Sequence, residues 1–390
     1  MDNFFTIYSY ELKKILSKRS FQIMFVLGLA VMVLLSVTDS DYARGRTTLT
    51  GRISASEFTK ITQEKSRKVN GHKIDDQLLA EMRYDIYNEA VNSGYVTWDD
   101  INAFLYDTST EHFVNLPTGE KCTMFRALQY AAISTGWYDV FSCVYDRSGY
   151  VDQAPFLASS ADLESLDTYY FTPTYDAMAG TVFMFGWVLL LLLATWLSGT
   201  FADERNLGSD ALIRSTKTGM KNICLCKMSA GITVSVVTAL VFTLVSFGVC
   251  GLFFGFDGAD APIQSLIGDC EFDLTLSHAS LEMLGIIVLA AATFGAGTML
   301  LSELLSSPQT ISIRALVLIA SIFNIPVASI RKYWSLRPVS VIMADSFANH
   351  STYKILGLTL DYLDAGMLLM AVLFIIYSTL TIIHYRKTSI

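Results

Sequence analysis

The chain has 390 residues, of which 52% are hydrophobic and only 16% are charged, and its formal net charge is −8. Soluble domains carry about 25% charged residues, so this composition favours a membrane protein over a soluble enzyme. The mild acidity also excludes a broad basic surface of the kind that binds nucleic acid.

Six long runs of the sequence contain no Asp, Glu, Lys or Arg: 20–38, 177–202, 228–256, 283–302, 315–330 and 365–385. A helix rises about 1.5 Å per residue, so roughly 20 apolar residues cross the ~30 Å hydrocarbon core of a bilayer. The fifth run is short and needs residues 311–314 to reach that length. We therefore predict an all-α membrane protein with six transmembrane helices at about 21–38, 177–202, 228–256, 283–302, 311–330 and 365–385.

Residues 1–20 precede the first span and have an amphipathic pattern. One helical face carries the apolar residues Phe4, Ile7, Tyr8, Leu12, Ile15 and Leu16. Largely off that face lie Glu11, Lys13, Lys14 and Lys18. The pattern predicts a helix lying in the cytoplasmic interface, and an ordinary basic anchor before the span is the alternative. Because about 20 residues precede the apolar core, span 21–38 is expected to be an uncleaved helix rather than a signal peptide.

Residues 39–176 form a large acidic insert between the first two spans, with 21 acidic and 12 basic residues. Helix-start signals at Ser54 with Glu57, at Asp75 or Asp76, and at Thr97 predict a mostly helical, water-soluble domain, with Gly94 ending the second helix. Further helices are expected at 124–133 and 160–166. Cys122 and Cys143 lie in this insert and are candidates for a disulfide, the alternative being buried thiols.

Charge flanking the spans sets the orientation. Basic residues precede the first span, loop 203–227 is basic, and loop 257–282 contains no Lys or Arg. The positive-inside rule then places both termini and loop 203–227 in the cytoplasm, and residues 39–176 outside the cell. Loop 331–364 is the exception, since it is expected outside yet carries four basic residues.

Several kinds of chemistry have no sequence signal. There is no phosphate-binding G-x-x-x-x-G-K-[ST] loop, no His-Glu-x-x-His, no zinc-like Cys/His spacing and no G-x-S-x-G elbow. We therefore expect no nucleotide site, no metal, no cofactor and no enzymatic activity on this chain. Glu282, Glu303 and Arg314 lie at span ends, where we expect their charged groups to reach the interface.

The loop 203–227 carries an ordered set of residues: Glu204 after the second span, Gly208 four residues later, then Leu212, Ser215 and Thr216, and Lys227 before the third span. This arrangement resembles the permease subunits of ABC-2 type transporters. The N-terminal Glu11-Leu-Lys-Lys, the six-span layout and the large insert resemble that family too. The resemblance covers the membrane part, and nothing specific is recognised in the insert.

The resemblance implies a multi-pass permease of the cell membrane that exports an amphipathic substrate: a lipid, peptide, antibiotic or glycan. ATP would be hydrolysed by a separate ATPase subunit, and a second permease subunit, identical or different, would complete the transporter. The ATPase would act on the coupling loop through Glu204, Arg205, Gly208, Leu212, Ser215 and Thr216. From its position at the end of a span, Glu204 is expected to bond backbone amides or to pair with Arg205 or Lys221, and Gly208 to permit a sharp turn. The alternative is that Glu204 and Gly208 only cap and end the second helix. The alternative function is a membrane receptor or sensor whose extracellular domain binds a peptide ligand.

Overall fold

A computed structural model describes residues 2–38, 45–106, 112–115, 121–147, 154–157, 168–209, 213, 222–267, 270–321, 328–342, 344–355 and 357–387. Over these ranges the chain is mostly helical, with three short antiparallel hairpins. Among the described residues, five helices are long and apolar enough to cross a membrane. The chain therefore has the helices of an all-α, multi-pass membrane protein.

The elements in chain order are α1 (Asp2–Leu16), α2 (Arg19–Thr38), β1 (Thr47–Thr48), β2 (Gly51–Arg52), α3 (Ala55–Val69), α4 (Asp76–Asn92), α5 (Trp98–Tyr106), β3 (Phe113–Asn115), β4 (Lys121–Thr123), α6 (Met124–Thr135), α7 (Tyr138–Arg147), α8 (Ala154–Leu157), α9 (Pro173–Leu197), α10 (Gly199–Asn206), α11 (Cys224–Phe254), α12 (Leu276–Leu304), α13 (Ser307–Ala320), α14 (Ala328–Trp334), α15 (Pro338–Val341), β5 (Tyr353–Ile355), β6 (Leu358–Leu360) and α16 (Tyr362–Lys387). They fall into two compact units. The first comprises Met1–Ser36, Met178–Cys250 and Ser277–Ile390, and the second comprises Val37–Ala177 and Gly251–Leu276.

The first unit packs its long apolar helices through aromatic rings and small residues. Phe21 of α2 lies 4.5 Å from Trp196 of α9, measured between ring centroids. Phe25 of α2 lies 5.3 Å from Phe242 of α11. Gly28 lets α2 approach both neighbours, because a Cβ at this position would overlap Leu192 and crowd Phe242. This packing fixes α2, α9 and α11 side by side.

The predicted fifth span is represented by α13, which begins at Ser307 behind a capping box formed by Ser306 and Gln309. Its 14 residues rise only about 21 Å, less than the ~30 Å hydrocarbon core. Residues 322–327 follow and lie outside the described ranges; the chain then forms α14, α15 and the hairpin β5–β6 before α16. Alone, α13 is too short to cross a bilayer.

The second unit confirms the predicted helix starts. Ser54 accepts a hydrogen bond from the Glu57 amide at the start of α3. Asp75 accepts one from the Leu78 amide at the start of α4, and Thr97 and Asp100 bond reciprocally at the start of α5. Gly94 follows the end of α4 with a positive φ. The helix predicted at 124–133 is α6, whereas the one predicted at 160–166 lies outside the described residues.

The core of the second unit forms where α4 packs against α6 and α6 against α3 and α7. Its fully buried side chains include Phe58, Leu79, Met82, Ile86, Leu128 and Trp137. Segment 251–276 also belongs to this unit, which the sequence did not predict. Arg67 of α3 pairs with Asp257 at 3.0 Å, and the Gln63 amide group donates to the Phe254 carbonyl at 2.8 Å.

Candidate functional site

Four charged side chains of the first unit meet where α1, α10 and α11 come together. We call this set the charge cluster; it consists of Glu11, Lys14, Glu204 and Lys227. Lys227, at the start of α11, has no exposed surface, while Glu11 of α1 is 7% exposed and Glu204 of α10 is 6% exposed. The Lys227 ammonium lies 2.6 Å from the Glu204 carboxylate and 3.2 Å from the Glu11 carboxylate. Both contacts are charge-assisted hydrogen bonds, the strong kind.

Lys14 completes the cluster from α1. Its ammonium bonds to the Glu204 carboxylate and lies 3.9 Å from that of Glu11. Partial burial acts to lower the pKa of Lys14, but the hydrogen bond to Glu204 and the charges of both carboxylates raise it overall. Two carboxylates thus face two ammonium groups, so the cluster carries no net charge. Beside it, Lys18 pairs with Asp203 at 2.7 Å in a partly exposed bridge.

The charge cluster corrects the predicted position of one residue of α1. Glu11 was predicted largely off the apolar face, yet it is buried on that face beside Ile15. Leu16 is exposed, whereas the rest of the predicted apolar face is half-buried: Phe4, Ile7, Tyr8 and Leu12. Residues 11 and 15 are four apart and so share this face of α1, where Glu11 meets the charge of Lys227 from a distant part of the chain. The amphipathic pattern alone could not have identified it, since Lys227 lies 216 residues away in sequence.

Glu204 does not pair with Arg205, contrary to one of the predicted pairings, and Lys221 lies outside the described residues. Arg205 instead turns to the end of α12, where its guanidinium donates to the backbone carbonyls of Glu303 and Leu305. Arginine suits this role because its fixed fork of N–H groups can satisfy several of the carbonyls left unpaired at a helix end. Arg205 therefore ties α10 to α12.

The buried hydroxyl of Ser302 is a second connection between α10 and α12. Ser302 Oγ accepts hydrogen bonds from the Phe201 and Ala202 amides, at 3.1 and 3.2 Å, and donates to the Ser198 carbonyl at 2.6 Å. These amides belong to the first turn of α10, where a helix has no internal partners for its N–H groups. Ser198, which precedes α10, makes no side-chain cap of its own. Ser302 thus caps α10 from another helix.

Gly208 ends α10 with φ +70°, as the sequence predicted for a sharp turn. A Cβ at this position would meet no atom within 4 Å, so glycine is required for the backbone angle and not for space. Of the other predicted coupling residues, Leu212, Ser215 and Thr216 lie outside the described ranges. Leu207 beside the turn is 80% exposed.

The remaining predicted residues lie elsewhere. Cys122 and Cys143 both carry thiols in the structure, Cys122 buried and Cys143 half-buried, and the disulfide stays a prediction. Within the described ranges, no three His, Cys, Asp or Glu side chains are placed to hold a metal ion. Glu303 and Arg314 are buried rather than reaching the interface, and Glu303 lies 3.3 Å from His384.

Comparison with known proteins identifies no relative: no family model, no curated protein and no solved structure matches the chain. The function is therefore inferred from the geometry of the charge cluster and from the resemblance of loop 203–227 to ABC-2 type permeases.

Proposed function

We propose that this chain is the permease subunit of an ATP-driven transporter of the ABC-2 type, exporting an amphipathic substrate with energy supplied by a separate ATPase subunit. The observation that carries the proposal is that the charge cluster joins both ends of loop 203–227. Glu204 lies at the start of this loop, Lys227 at its end, and the two side chains are in direct contact.

Through this contact, the helices at both ends of the loop are connected to each other. Because Glu204 and Lys227 are buried together with Glu11, a force on the loop acts on α10, α11 and α1 at once. Arg205 and Ser302 extend the connection to α12. A subunit that lacks a nucleotide site must receive motion through such a contact, and a rigid, two-ended attachment transmits it better than a loop held at one end.

Contacts inside the first unit also support six crossings. The start of α13, the end of α12 and the end of α16 lie near α10, through Ser198–Ser307, Arg205 and Phe201–Tyr385 contacts respectively. If α12 and α16 both end on one side, and α16 crosses, then residues 305–361 must cross between them. In the proposal, α13 and the residues after it make this fifth crossing, with both termini cytoplasmic and residues 39–176 extracellular.

The proposal also specifies the partners and surroundings of the chain. Two permease subunits, identical or different, associate in the lipid bilayer of the cell membrane, and the ATPase docks on the exposed turn at Leu207 and Gly208. The substrate class stays open among lipid, peptide, antibiotic and glycan.

Purification from native membranes tests the proposal, with ATP hydrolysis and subunit composition as the two readouts. We expect a nucleotide-binding subunit to co-purify in stoichiometric amount. Glu204→Ala should lower the ATPase rate of the complex about tenfold, the scale of a typical coupling free energy between two sites. Gly208→Val should do the same because Val rarely adopts a positive φ.

Asp273→Asn is the matched control, since it removes an exposed carboxylate in the second unit. It should leave assembly and hydrolysis at the wild-type level. Absence of any nucleotide-binding subunit from gently purified protein would overturn the transporter proposal and leave the sensor as the better candidate. Wild-type hydrolysis by both loop variants, in fully assembled complexes, would remove the loop from the coupling mechanism.

A further inference from the structure

Arg314 is a buried cation in the apolar part of the first unit. It lies on α13 and is 8% exposed, with its guanidinium 4.7 Å from the centre of the Phe294 ring and 6.0 Å from that of Tyr377. Among the described residues its Nε has no hydrogen-bond partner. A guanidinium among apolar helices is costly unless an anion or a set of acceptors faces it. The aromatic rings compensate only part of that cost.

A second unpaired donor lies one helical turn away. Thr310 precedes Arg314 by four residues, so both side chains share one face of α13. Thr310 is fully buried, and its hydroxyl likewise has no partner within the described part of the chain. On α16, the half-buried Ser378, next to Tyr377, has a hydroxyl that also lacks a partner among the described residues. The unpaired groups are thus Nε of one guanidinium and two hydroxyls, all of which can donate hydrogen bonds.

The neighbouring helix is shaped to admit this arginine. Gly297 of α12 faces it, and a Cβ at that position would overlap Nη2 of Arg314. The position of Arg314 along α13 is also informative. It follows Ser307, the first residue of the helix, by seven residues, which places it about 10 Å along the axis from the helix end. If α13 enters the bilayer at Ser307, as in the six-crossing arrangement proposed above, Arg314 lies about 10 Å from the surface at which lipid phosphates lie.

We propose that Arg314 and Thr310 bind the phosphate of an anionic phospholipid. A phosphate monoanion matches the forked donors of a guanidinium and accepts a further bond from a hydroxyl. The lipid, rather than dissolved phosphate, is favoured because α13 exposes apolar side chains on its remaining surface, on which acyl chains can lie: Ile313, Leu316, Val317 and Ile319. The inference does not depend on ATP-driven transport.

The test measures which lipids the purified full-length protein retains. Delipidated protein is incubated with equimolar phosphatidylglycerol and phosphatidylcholine, and bound lipids are counted by native mass spectrometry. We expect wild type to prefer phosphatidylglycerol about tenfold, because the choline ammonium of phosphatidylcholine neutralises its own phosphate and repels the buried Arg314 cation. Arg314→Gln should abolish the preference. Thr310→Val, which keeps the cation and the volume, should reduce it by about half on a logarithmic scale.

Arg331→Gln is the matched control, because it removes an exposed guanidinium from α14. It should keep the wild-type preference. Equal retention of both lipids by wild type, or the same preference in the Arg314 and Arg331 variants, overturns the proposal.

A second arm identifies the source of the anion and covers the case in which Arg314→Gln fails to fold. Thermal unfolding of wild type and Thr310→Val is followed in phosphatidylcholine nanodiscs, with and without phosphatidylglycerol, and separately with inorganic phosphate. Binding to the native state raises the unfolding temperature. Phosphatidylglycerol should raise the unfolding temperature, whereas inorganic phosphate should not. The rise should be smaller in Thr310→Val than in wild type. An equal rise with inorganic phosphate would assign the site to a soluble anion and overturn the lipid proposal.

Discussion

The charge cluster can be buried because its charges balance, with two carboxylates facing two ammonium groups. Each carboxylate of Glu11 and Glu204 contacts at least one ammonium, and Lys227, which has no exposed surface, contacts both carboxylates and the Thr200 carbonyl. Burying two charges costs several kcal/mol per ion, which close, hydrogen-bonded geometry must offset. Removal of one member therefore leaves an uncompensated buried charge, while removal of an opposite pair does not.

Lys227→Met is predicted to destabilise the protein by about 3–5 kcal/mol, because two carboxylates would then share the single ammonium of Lys14. The measurement is the midpoint of denaturant unfolding in detergent micelles. Lys354→Met, which removes an exposed ammonium from β5, should change stability by less than about 0.5 kcal/mol.

The neutral double variant Glu11→Gln with Lys227→Met separates charge balance from packing. It restores one carboxylate to one ammonium, so it should recover at least half of the stability lost in the single variant. An additive loss in the double variant would show that electrostatic balance is not what holds the cluster together.

At the scale of elements, the sequence predicted local structure better than packing. The helices of the second unit begin where Ser54, Asp75 and Thr97 predicted, because a cap is decided by residues within one turn. On α1 the predicted apolar face is the less exposed one, but Glu11 was wrongly placed off it, since its burial depends on Lys227 and not on the local pattern. In the candidate site, the sequence analysis named Glu204, Gly208 and Lys227, but the contacts of Glu204 with Lys227 and Lys14 required the fold.

The capping of α10 from α12 yields a prediction at this scale. Ser302→Ala removes the acceptor for the Phe201 and Ala202 amides. Water cannot replace this acceptor because Ser302 is fully buried. We expect a loss of about 1–3 kcal/mol in unfolding free energy, the cost of unpaired buried donors. Thermal and denaturant unfolding of the purified protein measure it.

Ser235→Ala is the control for this change. Ser235 is equally buried, but its hydroxyl donates only to the Gly231 carbonyl of its own helix, α11. Its removal leaves no donor unpaired and should cost less than about 1 kcal/mol. Similar losses in the two variants would mean that Ser302 merely fills space.

For the whole molecule, the orientation of the spans is the broadest prediction. Tyr106 of the second unit is 95% exposed and Leu207 beside the turn at Gly208 is 80% exposed, so Cys at either position is accessible to a reagent on its own side. In intact cells, a membrane-impermeant maleimide should label Tyr106→Cys strongly. It should label Leu207→Cys only after permeabilisation.

The native protein supplies the background for this experiment, since five of its six cysteines are buried and Cys143 is half-buried. Labelling of Leu207→Cys in intact cells would reverse the orientation and move the proposed ATPase contact outside the cell, where ATP-driven coupling cannot occur.

The composite second unit has a consequence for biogenesis. Its two parts, Val37–Ala177 and Gly251–Leu276, are separated by roughly 70 residues, which a ribosome adds in about 4–15 s. During that interval Arg67 lacks Asp257 and Gln63 lacks the Phe254 carbonyl. The core of α3, α4, α6 and α7 lies wholly within Val37–Ala177, but these two contacts form only after α9, α10 and α11 have been synthesised. The second unit is therefore assembled in two steps, and a chain that stops before residue 251 carries its helical core without the segment that completes it.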